Sequence, residues 1–308
     1  MAEHWIESEV QGEVLGQDIS DNDGEITLKV DYKAKMELHE AAMIDADGDM
    51  CIEHKKKHDQ IVLYAKTHTL ANKSGLQVWR GAFLLCDFVL QHAEAFANDI
   101  ILELGCGIGF AMIVLSRIAK LVVGTDHDVD ALTIAIKNLE MNKHGKYRLR
   151  RLDWTCSDLD ESSAPFGWSH RDLNTLKQVR YVMASDVFFD DELTLIFLSK
   201  LHGLMTENPQ LTALIATEKR AVFSSFSMSV IHLGYDIFLK HLCTHLTPPP
   251  LSEIFSSTPT TRYTCPQCSS TQFPRFIASS IKIEHIPQSF IYQRETMLEL
   301  WYIHGLIN

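Results

Sequence analysis

The chain has 308 residues, 46% of them hydrophobic, and a formal net charge of −12; it is long enough for one large α/β domain with extensions. Residues 1–60 hold 16 acidic and 6 basic residues, a balance of −10, which leaves 24 and 22, a balance of −2, for the rest. A near-neutral body argues against a surface built to coat nucleic acid, which would show a basic stripe.

No apolar run reaches the roughly 18 residues of a membrane span, and the acidic start shows no apolar leader. Seven scattered cysteines form no disulfide framework. The expectation is a monomer in a reducing compartment, nucleus or cytosol, with no membrane and no direct nucleic-acid partner.

Residues 1–60 show little periodicity and carry turn signals such as Asp21-Asn22-Asp23-Gly24. They are expected to be mostly disordered, with one short strand at 25–30. The ordered domain is expected over 61–308. Phe83, Leu84, Phe88 and Leu90 give helical spacing over 79–91. Residues 100–104 are apolar on both faces, as a central parallel strand is. A helix at 110–119, a strand at 121–125 and a helix at 130–142 follow, with Asp128 or Asp130 as the cap.

Further strands are predicted at 147–154, 179–185 and 211–217. A long helix is predicted over 221–242, with Gly234 in its interior. A Pro/Ser/Thr-rich insertion occupies about 246–275. Two strands, 280–286 and 297–304, close the chain. Strands alternating with helices imply an α/β, doubly wound, mostly parallel seven-stranded sheet; the short final connection requires an antiparallel C-terminal pair.

The most informative stretch is Glu103-Leu104-Gly105-Cys106-Gly107-Ile108-Gly109, followed by Asp126, 21 residues after Gly105. An apolar strand, a glycine turn, a helix and a timed carboxylate describe a nucleoside pocket, with the acid on a ribose. The dinucleotide pattern G-x-G-x-x-G fails because Phe110 stands at the third glycine position, and the P-loop pattern is absent. The remaining candidate is S-adenosylmethionine, which has an adenosine, an ammonium and no phosphate.

Gln77-Val78-Trp79-Arg80-Gly81-Ala82, the 103–109 motif, Asp153-Trp154 and Asp186-Val187-Phe188-Phe189 occur in one order. That order resembles family 16 of the seven-β-strand methyltransferases, a group rich in protein-lysine methyltransferases. The resemblance covers roughly 61–304, without the acidic segment or the insertion. It implies Trp79 near the sulfonium, and Glu103, Gly105 and Gly107 at the methionine end; Gly109, counted with the cofactor residues, allows close packing of the helix after the turn. It puts Asp126 on the ribose and Trp154 on the adenine, with Asp153 at its edge. Ser185 stands where the family usually has Ala or Gly. Asp186, Phe188 and Phe189 form the family's acid-x-x-aromatic motif at the active-site mouth; Phe189 replaces the common Tyr.

The implied reaction is methyl transfer to a lysine amine of a protein, either basic or nucleic-acid-associated. Two alternatives stay open: a cofactor-binding interaction module with little catalysis, and a small-molecule N-methyltransferase. Cys265-Pro266-Gln267-Cys268 is a single C-x-x-C, and a zinc site needs four ligands. Cys243 and His245 could complete a set, but the reading favours an unligated loop and no metal.

Overall fold

The computed structural model describes residues 5–7, 19–20, 25–33, 43–44, 50–51, 58–66, 68–142, 145–156, 159, 164–224, 228–250, 255, 262–268 and 275–307. In chain order the main elements are β1 (Glu25–Lys33), β2 (His58–Lys66), α1 (Arg80–Gln91), β3 (Ile100–Leu104), α2 (Phe110–Ile118), β4 (Leu121–Asp126), α3 (Val129–Asn142) and β5 (Tyr147–Arg151). Then come α4 (His170–Leu176), β6 (Val179–Ser185), α5 (Asp191–Glu207), β7 (Thr212–Glu218), β8 (Ala221–Ser224), β9 (Ser229–His232), α6 (Tyr235–Lys240), β10 (Arg262–Tyr263), β11 (Phe276–Ile281) and β12 (Leu298–Ile307).

The central sheet runs β5-β4-β3-β6-β7-β12, with β11 on the outer side of β12 and the short β10 also beside β12. The β3–β7 strands pair parallel. β12 is antiparallel to both β7 and β11. This is the expected doubly wound sheet, with eight strands in place of the seven expected, and β12 and the short β10 run against the others. The chain winds from β3 to β4 and β5 on one side, then crosses to β6 and β7 on the other. The β3/β6 boundary is therefore the switch point, where loops part and leave a crevice.

Each strand sends alternate residues to opposite faces, so its buried side chains divide between two cores. Ile101, Val122, Tyr181 and Met183 join the α1, α2 and α3 side. Ile100, Leu102, Leu104, Val123 and Val182 join the α5 and α6 side. Burial on both faces is why these strands read as continuous apolar runs.

Three expectations are corrected. The long helix over 221–242 is a β8–β9 hairpin followed by the short α6. Val222, Val230 and Ile231 are β-branched and favour extended backbone, and Gly234 adopts φ 68° before α6. A Cβ at Gly234 would lie 2.5 Å from Thr194 Oγ1 and 2.7 Å from the Phe188 backbone. Only glycine lets the chain cross there.

The second correction concerns residues 1–60. The strand expected at 25–30 extends through Lys33 and pairs antiparallel with all of β2. Ile26, Leu28, Val30 and Tyr32 are buried in the main core. The boundary placed at residue 60 therefore does not separate an independent tail from the domain. The acidic turn at 21–24 lies outside the described residues.

Third, the closing strands are shifted to Phe276–Ile281 and Leu298–Ile307, and the third strand stops at Arg151. Most of the 246–275 insertion lies outside the described residues, but β10 within it pairs parallel with Leu306 and Ile307.

Candidate active site

A cavity of about 380 Å³ opens at the carboxyl ends of β3, β4 and β6, at the switch point. Gly105, Gly107 and Gly109 have φ of 73°, 52° and 82°, the left-handed region that a Cβ disfavours. The turn they make aims backbone at the cavity. A Cβ at Gly107 would stand 2.8 Å from the Gly75 carbonyl oxygen, and one at Gly105 3.5 Å from the Trp154 ring.

Asp126 ends β4 and is nearly buried. Its Oδ2 accepts from the Gly107 N–H (3.0 Å) and its Oδ1 from the Asp128 N–H (3.0 Å). These bonds fix the carboxylate against the glycine turn and leave lone pairs for further donors. His127 Nδ1 lies 3.3 Å from Asp126 Oδ1. The hydrogen bond to Asp126 raises the pKa of His127 above its ordinary value.

Glu103 is 1% exposed. Burial, reinforced by the charge of Asp126, pushes its pKa up to about 8. Among the described residues its Oε2 has no hydrogen-bond partner, and neither has the buried Nε1 of Trp154. Both residues line the cavity. Buried polar atoms left unpaired are costly, so these two mark where a ligand's polar groups belong.

Asp153 starts the turn after β5, and its Oδ1 accepts from the Thr155 side chain (2.7 Å) and N–H (2.9 Å). The Thr155 side-chain bond leads the effects that hold its pKa below the usual carboxylate range. Trp154 meets Phe197 edge-on, with centroids 5.1 Å apart. Trp79 is the residue before α1. Its Nε1 donates to the Ser74 carbonyl (3.0 Å), and the Arg220 guanidinium lies 4.3 Å from its ring centroid.

Asp186 follows β6 with φ 52°, unusual for a residue with a side chain. Its Oδ2 accepts from the Gly81 N–H in the first turn of α1 (2.7 Å), and its Oδ1 from the Glu218 N–H at the end of β7 (2.9 Å). A Cβ at Gly81 would sit 2.5 Å from Asp186 Oδ2. Gly81 thus belongs to the site because it lets the carboxylate approach. Arg80 Nη1 pairs with Glu218 Oε1 at 2.8 Å beside it.

Of the residues expected at the site, Trp79, Glu103, Gly105, Gly107, Asp126, Asp153, Trp154, Ser185, Asp186 and Phe189 line the cavity. Two expectations fail. Phe188 is 1% exposed and stacks on Phe238 at 4.6 Å; it is core, because the turn after β6 sends it toward α5 and α6. Gly109 starts α2 and faces Ala135 of α3, whose Cβ would be 3.1 Å from a Cβ there; it brings helices together and does not touch the cavity.

Sequence reasoning missed Ser74, Gly75, Val78, His127, Val187 and Leu193, which also line the cavity. Ser74 and Gly75 lie in a six-residue 3-10 segment with no periodic signal; only folding brings them to the glycine turn. His127 adjoins Asp126, its only signal, whereas Val78 and Val187 lie inside the quoted motifs without an assigned role.

The lining holds four carboxylates, Glu103, Asp126, Asp153 and Asp186, and, among the described residues, no Lys or Arg. A pyrophosphate would be repelled there, whereas a ligand with a sulfonium and an ammonium would be attracted. The unpaired Glu103 Oε2 and Trp154 Nε1, and the space that glycines leave, fit S-adenosylmethionine. Cys243, His245, Cys265 and Cys268 are not part of this cavity.

A family model described as lysine methyltransferase matches residues 57–232. Methyltransferase-like protein 22 of Homo sapiens is 29% identical over 277 residues, covering 86% of this chain and 63% of that protein. Its Mus musculus counterpart is 28% identical over 282 residues, covering 88% and 66%. The chain thus spans a little under two thirds of the length of these relatives. The histone-arginine methyltransferase METTL23 of Mus musculus is 24% identical over 138 residues, 44% of this chain and 50% of that one. The family match takes in α1, the glycine turn, Asp126 and Asp186 and extends over more than half of the 308 residues: the chain belongs to the lysine methyltransferase family.

Proposed function

We propose that this protein transfers a methyl group from S-adenosylmethionine to a lysine side-chain amine of a protein substrate. The observation that carries the reading is the acidic cavity built on the glycine turn, lined among the described residues by no Lys or Arg. In this reading Asp126 takes the ribose hydroxyls, Glu103 the ammonium, and Trp154 the adenine. When bound, the cofactor supplies a methyl carbon already activated by its sulfonium, so the chain's own residues mainly orient and desolvate.

A lysine amine has an ordinary pKa of about 10.4, so only about one in a thousand is neutral at about pH 7.4. Trp79, Val187, Phe189 and Leu193 give the cavity an apolar side. Such surroundings disfavour the ammonium and help it lose its proton. Asp186, braced by two backbone N–H groups, can accept an N–H from the incoming amine and aim its lone pair. An ordinary carboxylate is too weak a base to deprotonate the amine by itself. Phe189 supplies packing for the alkyl stem and lacks the hydroxyl of a tyrosine.

A basic or nucleic-acid-associated substrate would suit the acidic N-terminal segment. Cys86 and Cys106, buried free thiols, support a reducing location in nucleus or cytosol. No described helix is long and apolar enough to cross a membrane.

The test is methylation, with labelled cofactor, of an extract from cells lacking the protein, with mass spectrometry of the modified site. Label on lysine is expected. Label on arginine would overturn the lysine assignment, and unchanged cofactor binding by both Asp126→Ala and Gly105→Arg would overturn the site. Asp186→Asn is expected to keep cofactor binding and lose turnover by about a hundredfold, the usual scale for a misplaced positioning group.

A further inference from the structure

The cofactor cavity makes no use of the cysteines beyond β9, yet the fold gathers them. Cys243 follows α6, and His245 comes two residues later. Cys265 and Cys268 share a turn closed by the Cys268 N–H donating to the Cys265 carbonyl (3.0 Å). One ligand atom from each of Cys243, His245, Cys265 and Cys268 lies within 4.8 Å of all the others.

The separations discriminate between chemistries. Cys268 Sγ is 3.6 Å from Cys243 Sγ and 3.5 Å from His245 Nδ1. A disulfide would bring the sulfurs to about 2.05 Å. Two thiolates at about 2.3 Å from a tetrahedral zinc lie about 3.8 Å apart, and a thiolate and an imidazole nitrogen about 3.5 Å. These two edges match the tetrahedron, and the other four lie within 4.8 Å. Ile277, Leu246, Tyr263 and Ile307 surround the sulfurs with apolar surface. Four protein ligands, three of them sulfur, leave no open position and select zinc among the common divalent ions.

We propose that Cys243, His245, Cys265 and Cys268 bind a structural zinc ion. The place of the cluster sets its role. The Cys243 N–H donates to the Phe276 carbonyl at the start of β11 (2.8 Å), and the Ile307 N–H to the Arg275 carbonyl (3.0 Å). β10, just before Cys265, pairs with Leu306 and Ile307. This is the end of β12 remote from Leu298, which pairs with Glu218 beside Asp186. The ion therefore staples residues 262–268 to the sheet edge, at the end opposite the cofactor, and replaces the sequence-based expectation of an unligated loop.

Protein purified without a chelator or a polyhistidine tag should contain about one zinc per chain by elemental analysis, the stoichiometry of one four-ligand site. Cobalt exchanged into the wild-type chain should show the visible bands of a tetrahedral, thiolate-rich site, and the Cys265→Ser/Cys268→Ser variant should lose the metal. Chelation should lower the thermal midpoint, and added zinc should restore it. A chain that contains no zinc and, once reduced, takes up neither zinc nor cobalt overturns the proposal. Iron in place of zinc, or a Cys243–Cys268 disulfide in peptide maps from rapidly quenched cells, overturns it as well.

Discussion

Glu103 shows how a single side chain links cofactor binding to stability. Burial and the nearby Asp126 raise its pKa to about 8, so at pH 7 the folded chain holds it mostly protonated while the unfolded chain ionises it. A raised carboxyl pKa costs stability as pH climbs above the unfolded value, by up to about 3 kcal/mol at pH 7. Glu103→Gln is therefore expected to raise the melting temperature of the cofactor-free protein and weaken cofactor binding. Because a bound ammonium requires the ionised form, wild-type binding should release close to one proton and tighten about tenfold from pH 6 to pH 7; Glu103→Gln should abolish both. Calorimetry in buffers of different ionisation enthalpy reads the proton directly. The residue's position was legible in the sequence from the strand and glycine turn. Its unpaired Oε2 was not, since that depends on what surrounds it.

Elements are joined by a few side chains that replace backbone partners. Asn138 and Asn142 lie one turn apart on α3. Asn138 accepts from the Tyr64 N–H (2.7 Å) and donates to the Tyr64 carbonyl (3.0 Å); Asn142 does the same for Val62 (3.0 and 2.7 Å). Four residues of helix advance about 6 Å and two residues of strand nearly 7 Å, so the amides act as a partner strand for β2. Asn138→Ala would strand several buried polar groups and should cost about 2–4 kcal/mol in urea unfolding.

On the other side of α3, β5 is tied to α4. Asp172 is part of the capping box with Ser169 and accepts from Arg148 Nη1 (3.0 Å) and Arg150 Nε (2.7 Å). Burial raises its pKa, but the hydrogen bonds from Arg150 and Ser169 outweigh that and bring it to about 2. A depressed carboxyl pKa contributes stability above the unfolded value, lost as pH falls through the folded one. About 2 kcal/mol should therefore disappear between about pH 4 and pH 2. In Asp172→Asn this acid-dependent loss should be absent from the unfolding midpoint. No helix was expected between 154 and 179, so α4 emerges only in the structure; the helix expected over 221–242 fails because Gly234 crosses over Phe188, a contact between distant segments.

At the scale of the molecule, β1 and β2 cover one side of the main core. Tyr32 stacks on Phe290 at 5.1 Å and its hydroxyl accepts from Arg117. Asp87, fully buried in α1, accepts from the Ser289 and Phe290 N–H groups, Tyr292 and Arg294. The N-terminal strands, α1 and the segment before β12 thus form one body. Leu28→Ala, a large-to-small change at 4% exposure, should cost about 2–5 kcal/mol, and deleting residues 1–33 should lower the thermal midpoint further; an unchanged midpoint would make this segment an appendage.

The sequence by itself determined the winding of the sheet, the glycine turn, Asp126 and the acid after β6. These follow from local patterns, an apolar run, a glycine spacing, a strand-end carboxylate, that need no distant partner. Only the tertiary structure decided that Phe188 is core and Phe189 is not, that Gly81 admits Asp186, that residues 25–33 belong to the domain, and that four scattered Cys and His residues meet. Each of those rests on atoms far apart in the chain brought within a few ångströms, and no local pattern encodes such a distance.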